Sequence, residues 1–138
     1  MNPLKISAAQ SLPHDTERAT LVGRAWMPAD ADAAAAANAN ATANANATAV
    51  ASTSTVPGPR VVAIRAGRLI DLGHHAPTMS LLLANPDAVD IARNAPGTDL
   101  GTFGDWLEST CVHGPDPLHR HLLAPNDLQA VKAAGVTF

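Results

Sequence analysis

Arg60-Val61-Val62-Ala63-Ile64-Arg65, Ala66-Gly67 and Arg68-Leu69-Ile70-Asp71-Leu72 make up the stretch on which the fold turns. Two short runs rich in branched aliphatic residues flank a Gly-containing pair, the pattern of a β-hairpin over Arg60–Leu72. Alanine suits a type I′ turn poorly, because that turn needs positive φ at both central residues. The expectation is therefore a type I turn with Gly67 left-handed in a G1 bulge.

Toward the N-terminus, Pro57-Gly58-Pro59 closes a low-complexity insertion over 29–57, in which Ala alternates with Asn and Thr. Alanine favours helix, but the interleaved Asn and Thr oppose it, and no apolar stripe exists to dock such a helix. The insertion reads as disordered, and its cost is mainly loop-closure entropy. Asn40-Ala41-Thr42 and Asn46-Ala47-Thr48 match the glycosylation sequon, which the composition of the tract alone accounts for. Before the insertion, Thr20–Met27 reads as a strand with Leu21, Ala25 and Met27 on one face and Val22, Arg24 and Trp26 on the other. Residues 1–19 are polar and aperiodic and read as a mobile leader without a secretory core.

Toward the C-terminus, Thr78 is placed to cap a short helix over Met79–Ala84. Asn85-Pro86-Asp87 offers a cap, a proline and an acid for a second helix ending near Asn94, before Pro96-Gly97. Phe103, Trp106 and Leu107, spaced i, i+3, i+4, mark a third helix over Leu100–Ser109. Cys111–His121 is rich in Pro and His and reads as a loop. Asn126 is placed to cap a last helical turn, and Val136-Thr137-Phe138 reads as a beginning strand. The expected fold class is α+β: a short antiparallel sheet with short helices, in one small domain spanning 20–138.

Composition narrows the function. The 138 residues carry a net charge of −3 and no basic stripe, which argues against nucleic acid and against an anionic membrane surface as partners. No run is apolar enough to span a membrane, and the expected location is cytoplasmic. With two Trp, two Phe and no Tyr, the core must rest on Leu, Val and Ile.

Candidate chemistry is sparse. Cys111, the single cysteine, has His113 two residues on, but it reads as a half-buried small side chain rather than a nucleophile. His113, His119 and His121, with Asp116 between them, have the composition of a metal site without a zinc-like spacing. His74-His75 reads as a loop cap after the hairpin, and Asp87, Asp99 and Asp105 read as helix-end stabilisers. No phosphate-binding loop or nucleophile elbow is present, so the residues alone give no catalytic set and no metal ligands.

Several stretches nevertheless resemble a known family. Ala19-Thr20-Leu21-Val22-Gly23-Arg24, the Val61–Leu72 hairpin, Ala76-Pro77-Thr78 and the run Leu123–Phe138 resemble the start of fumarylacetoacetate hydrolase family proteins. The likeness is to a bacterial subgroup related to sugar-acid dehydratases, and Asp127–Phe138 is its most specific part. The resemblance implies a small N-terminal domain followed by a larger, mainly β catalytic domain. It further implies a homodimer in which carboxylates hold Mg2+ or Ca2+. That metal chelates a 2-oxo acid or β-diketone, and a His-Glu dyad serves hydrolysis or a dehydratase or lyase reaction. No residue here matches the dyad or the Glu-x-Glu metal motif, and Glu17 and Glu108 are far apart in sequence. The expectation is an N-terminal domain truncated within 135–138, where the catalytic domain would begin. Thr137 and Phe138 would edge the substrate pocket, and the chain alone would be inactive. The alternative is a stand-alone, non-catalytic interaction module.

Overall fold

The computed structural model describes residues 6–29 and 57–128. Five strands, β1 (Leu21–Met27), β2 (Gly58–Arg65), β3 (Arg68–Asp71), β4 (Thr98–Thr102) and β5 (His121–Leu123), form an antiparallel sheet in the order β4-β3-β2-β1-β5. Four helices accompany it among the described residues: α1 (Ala8–Ser11), α2 (Met79–Ala84), α3 (Ala88–Asn94) and α4 (Phe103–His113). The fold is α+β, as the sequence implies.

The sheet is covered on both faces, which explains why Val61, Val62 and Ala63 are all buried in succession on its central strand. Side chains alternate along β2, so Val62 joins Ala25, Met27, Leu69, Leu100, Phe103 and Trp106 in one cluster, covered by α4. Val61 and Ala63 join Leu72, Ala76, Met79 and Leu82 on the other face, where Ala88 and Ile91 bring in α3. The faces expected for β1 hold, with Ala25 and Met27 in the first cluster and Val22 packed against the second.

The hairpin turn differs from expectation. Ile64 pairs with Leu69 and Arg65 with Arg68, leaving a two-residue loop with φ of 48° at Ala66 and 73° at Gly67. Positive φ at both central residues is the type I′ pattern, whose twist matches that of the flanking strands. That match offsets the cost of a left-handed alanine. Met27 pairs with Gly58, so the 29–57 segment joins two paired strand ends; all but its end residues lie outside the described ones.

Structure also begins before Thr20. Ser7 and Gln10 form a capping box on α1, and Ala8 and Leu12 pack against the first cluster. Arg93 donates to the Thr20 hydroxyl at 2.6 Å and to the Arg18 carbonyl at 2.8 Å, fastening the approach to β1.

Thr78 caps α2 by accepting the Leu81 N–H, as expected. Asn85, expected to cap the next helix, is instead the C-cap of α2; its side chain accepts the Asp87 N–H at 2.9 Å and shapes the turn between the two helices. Helix α3 ends at Asn94, before Pro96-Gly97, and Arg65 reaches over from β2 to its last carbonyls. The guanidinium donates to Ile91, Ala92 and Ala95 at 2.7–2.8 Å, so one hairpin residue satisfies three helix-end acceptors. Burial lowers the Arg65 pKa.

The third helix is displaced from its expected span. Thr98–Thr102 is an edge strand against β3, with a bulge where Leu100 and Gly101 lie between the Asp99–Ile70 and Thr102–Arg68 pairs. Gly101 takes a φ of 104° there. The helix then starts at Phe103 and runs to His113, so Cys111 is helical and the loop spans 114–120 only. No helix among the described residues is long and apolar enough to cross a membrane.

Candidate functional site

Helix α4 positions a cleft with a concentration of titratable side chains. Thr102 caps it by accepting the Asp105 N–H, and Trp106, 1% exposed, donates its indole N–H to the Leu100 carbonyl at 3.0 Å. With Phe103 and Trp106 turned into the core, Asp105, Glu108, Ser109 and Val112 line the opposite side, toward the 114–120 loop. Gly114, at a φ of 61°, turns the chain, and Leu118, His119 and Arg120 return as the other wall of a cleft of about 510 Å³.

The loop is fastened at several points. The Pro117 carbonyl accepts the Trp26 indole N–H at 3.0 Å, and Ser109 donates to the Arg120 carbonyl. Thr110 accepts the Leu122 N–H at 2.8 Å, and the Arg120 guanidinium lies 5.5 Å above the Trp106 ring. His113 stacks on His119 with ring centroids 3.7 Å apart and planes 5° from parallel. Asp116 holds Nδ1 of His119 at 3.0 Å and accepts the Leu118 N–H at 2.9 Å. Those contacts, the Leu118 amide foremost and then His119, lower the Asp116 pKa. His121 is buried, shares a 2.9 Å hydrogen bond between its Nδ1 and the His119 carbonyl, and stacks on Trp26.

This arrangement does not suit the metal reading of the histidines. In-plane lone pairs on two parallel stacked rings run side by side rather than converging, and Nδ1 of both His119 and His121 is already engaged. Among the described residues no group of three or more His, Cys, Asp or Glu is placed to hold a metal ion. Cys111 and His113 lie two residues apart on one helix and so project from different sides of it. His74 and His75 are exposed, and Nε2 of His75 shares a 2.8 Å hydrogen bond with the Pro96 carbonyl. Asp87 and Asp105 do lie at helix starts. Asp99 does not: it is in β4, where it pairs with Arg68 and accepts the Gly101 N–H.

Thr137 and Phe138 lie outside the described residues, as does the 135–138 segment. Residues 124–127, within the described part, are well anchored. Beyond β5, Arg24 donates to the carbonyls of Ala124 and Asn126, the latter at 2.6 Å. Asp127 accepts both the hydroxyl and the backbone N–H of Ser80, in the first turn of α2. The Ser80 hydroxyl is the main reason that its carboxyl falls from 3.8 to about 2, with the amides of Ser80, Leu128 and Met79 adding to it. Asn126, expected to cap a helical turn, is followed by bends at Asp127 and Leu128, and the rest of that turn lies outside the described residues. Sequence reasoning missed the Asp127–Ser80 contact, since no local pattern joins residues 47 apart.

Because the folded pKa of Asp127 lies below its unfolded value, its contribution is present above the ordinary carboxyl range and fades as pH falls toward about 2. Asp127→Asn is expected to lower the denaturant midpoint near neutral pH, with the difference from the parent closing on acidification. A constant difference across that range would contradict the assignment.

Compared with known proteins, the chain matches no family model, no curated protein and no solved structure.

Proposed function

We propose that this chain is the N-terminal domain of a fumarylacetoacetate hydrolase-like enzyme whose complete form acts on 2-oxo acids or β-diketones with a divalent metal. The observation that carries the reading is the double hold on residues 124–127. Arg24 binds two of their carbonyls, and Asp127, which opens the run with the most specific family resemblance, is bound by Ser80. A segment so fixed to the domain body suits a junction that delivers the chain to a following domain in a set position.

The described residues do not fit a Mg2+ or Ca2+ centre. Asp116 is committed to Leu118 and His119, Asp127 to Ser80 and Leu128, and Asp99 to Arg68 and Gly101. The proposal accordingly assigns the metal, the His-Glu dyad and the reaction to the following domain, which is also the partner that this one would cover. The complete protein would be a cytoplasmic homodimer, with Thr137 and Phe138 at the edge of its pocket.

A second reading has its own support. Leu81 and Leu83 of α2 and Val89 of α3 are more than half exposed, which would also suit a stand-alone module that binds a partner through apolar surface. An assay of the purified chain with Mg2+ against 2-oxo acids and β-diketones tests the assignment of the chemistry. No turnover is expected, and metal-dependent turnover by this chain would overturn it.

A further inference from the structure

The two stacked imidazoles close the 114–120 loop against the end of α4, and the loop is held at its far side by an indole. We propose that the His113–His119 stack is an acid-released latch: it holds the loop closed while it carries at most one proton and lets it go when both rings are charged.

The argument starts from contact geometry. Two neutral imidazoles stack favourably, and one imidazolium over a neutral ring adds a cation–π attraction. Two imidazolium ions with centroids 3.7 Å apart and planes 5° from parallel repel at contact distance. Imidazoles ordinarily gain their protons as pH falls through about 6.5, which sets the pH range in which charge can build on the stack.

The surrounding charges bear on the outcome. From the loop, Asp116 binds Nδ1 of His119, while Arg120 adds positive charge to the same wall. From α4, Asp105 and Glu108 line the cleft, and among the described residues neither hydrogen-bonds to an imidazole. His113 ends α4, beside the C-terminal carbonyls of that helix. Among the described residues only Asp116 hydrogen-bonds to one of the two rings, so the repulsion across the stack falls on the loop.

Release has a built-in reporter. Pro117 accepts the Trp26 indole N–H at 3.0 Å, and the His119 carbonyl is bonded to Nδ1 of His121, which stacks on Trp26. Opening the loop would free the Trp26 indole, whereas the Trp106 indole is bonded inside the core to Leu100.

The test is NMR of the full chain from about pH 7.5 to about pH 5, following both indole N–H signals and the histidine ring protons. The expected result is that Trp26 exchange, corrected for intrinsic pH dependence, rises about tenfold as the second of the two rings titrates, while Trp106 does not change. His113→Phe keeps an aromatic surface for His119 without the second charge, and should abolish the rise. His113→Gln, which removes the ring and the charge together, should also abolish it. An unchanged Trp26 signal in the parent chain, or a rise that persists in either variant, would overturn the latch. The unchanged Trp106 signal certifies that each variant is folded.

Discussion

Trp106→Ala is expected to lower the unfolding free energy by about 3–5 kcal/mol, the range for truncating a large buried aromatic. The indole is 1% exposed and packs with Leu69, Leu100 and Phe103, so its removal leaves a void in the first core cluster. It also leaves the Leu100 carbonyl without its 3.0 Å donor, at the bulge where β4 turns into α4. Small domains have total stabilities of about 5–15 kcal/mol, so the loss is a large share of what holds the fold. Denaturant titration followed by Trp26 fluorescence measures the loss. A loss below about 1 kcal/mol would mean that α4 is not packed on the sheet by this side chain.

Gly97→Ala should be nearly as severe, through crowding rather than a void. A Cβ at Gly97 would lie 2.2 Å from the Asp71 carbonyl oxygen and 2.7 Å from Cγ2 of Ile70. The backbone atom cannot rotate away, and Asp71 pairs with Thr98, so relief requires β4 to move off β3. The expected cost is about 3 kcal/mol, at the upper end for overpacking. Gly23→Ala is the control, because nothing lies within 4 Å of the added methyl, and its effect should be slight. Equal midpoints for the two variants would contradict the close approach of 97 to β3.

Both predictions concern elements that the sequence disclosed unequally. The hairpin, β1, α2 and the end of α3 were legible because their signals are local: alternating branched residues, a Thr cap before a Leu run, and Pro-Gly after Asn94. Strand β4 was not, since Thr98-Asp99-Leu100-Gly101-Thr102 has no β pattern and is strand only through its pairing with β3. Strand β5 is three residues long and depends in the same way on β1. Helix α4 runs past Ser109 into a stretch whose Pro and His content suggested a loop, and Gly114 sets its true end. The turn at Ala66 was misread because the residue preference was weighed without the strand twist.

The candidate site was legible in composition but not in geometry. The His and Asp residues of 113–121 do gather, yet as a ring stack with carboxylate and carbonyl partners rather than as converging ligands. The arginine holds on 91–95, 18–20 and 124–126, and the Asp127–Ser80 contact, join residues far apart in sequence and leave no local trace.

The family reading is tested most directly by sequencing the gene through and beyond the codon for Phe138 and translating all three frames. The account predicts a downstream frame that encodes a His-Glu dyad and a Glu-x-Glu motif. A verified stop with no such frame in any register would contradict it.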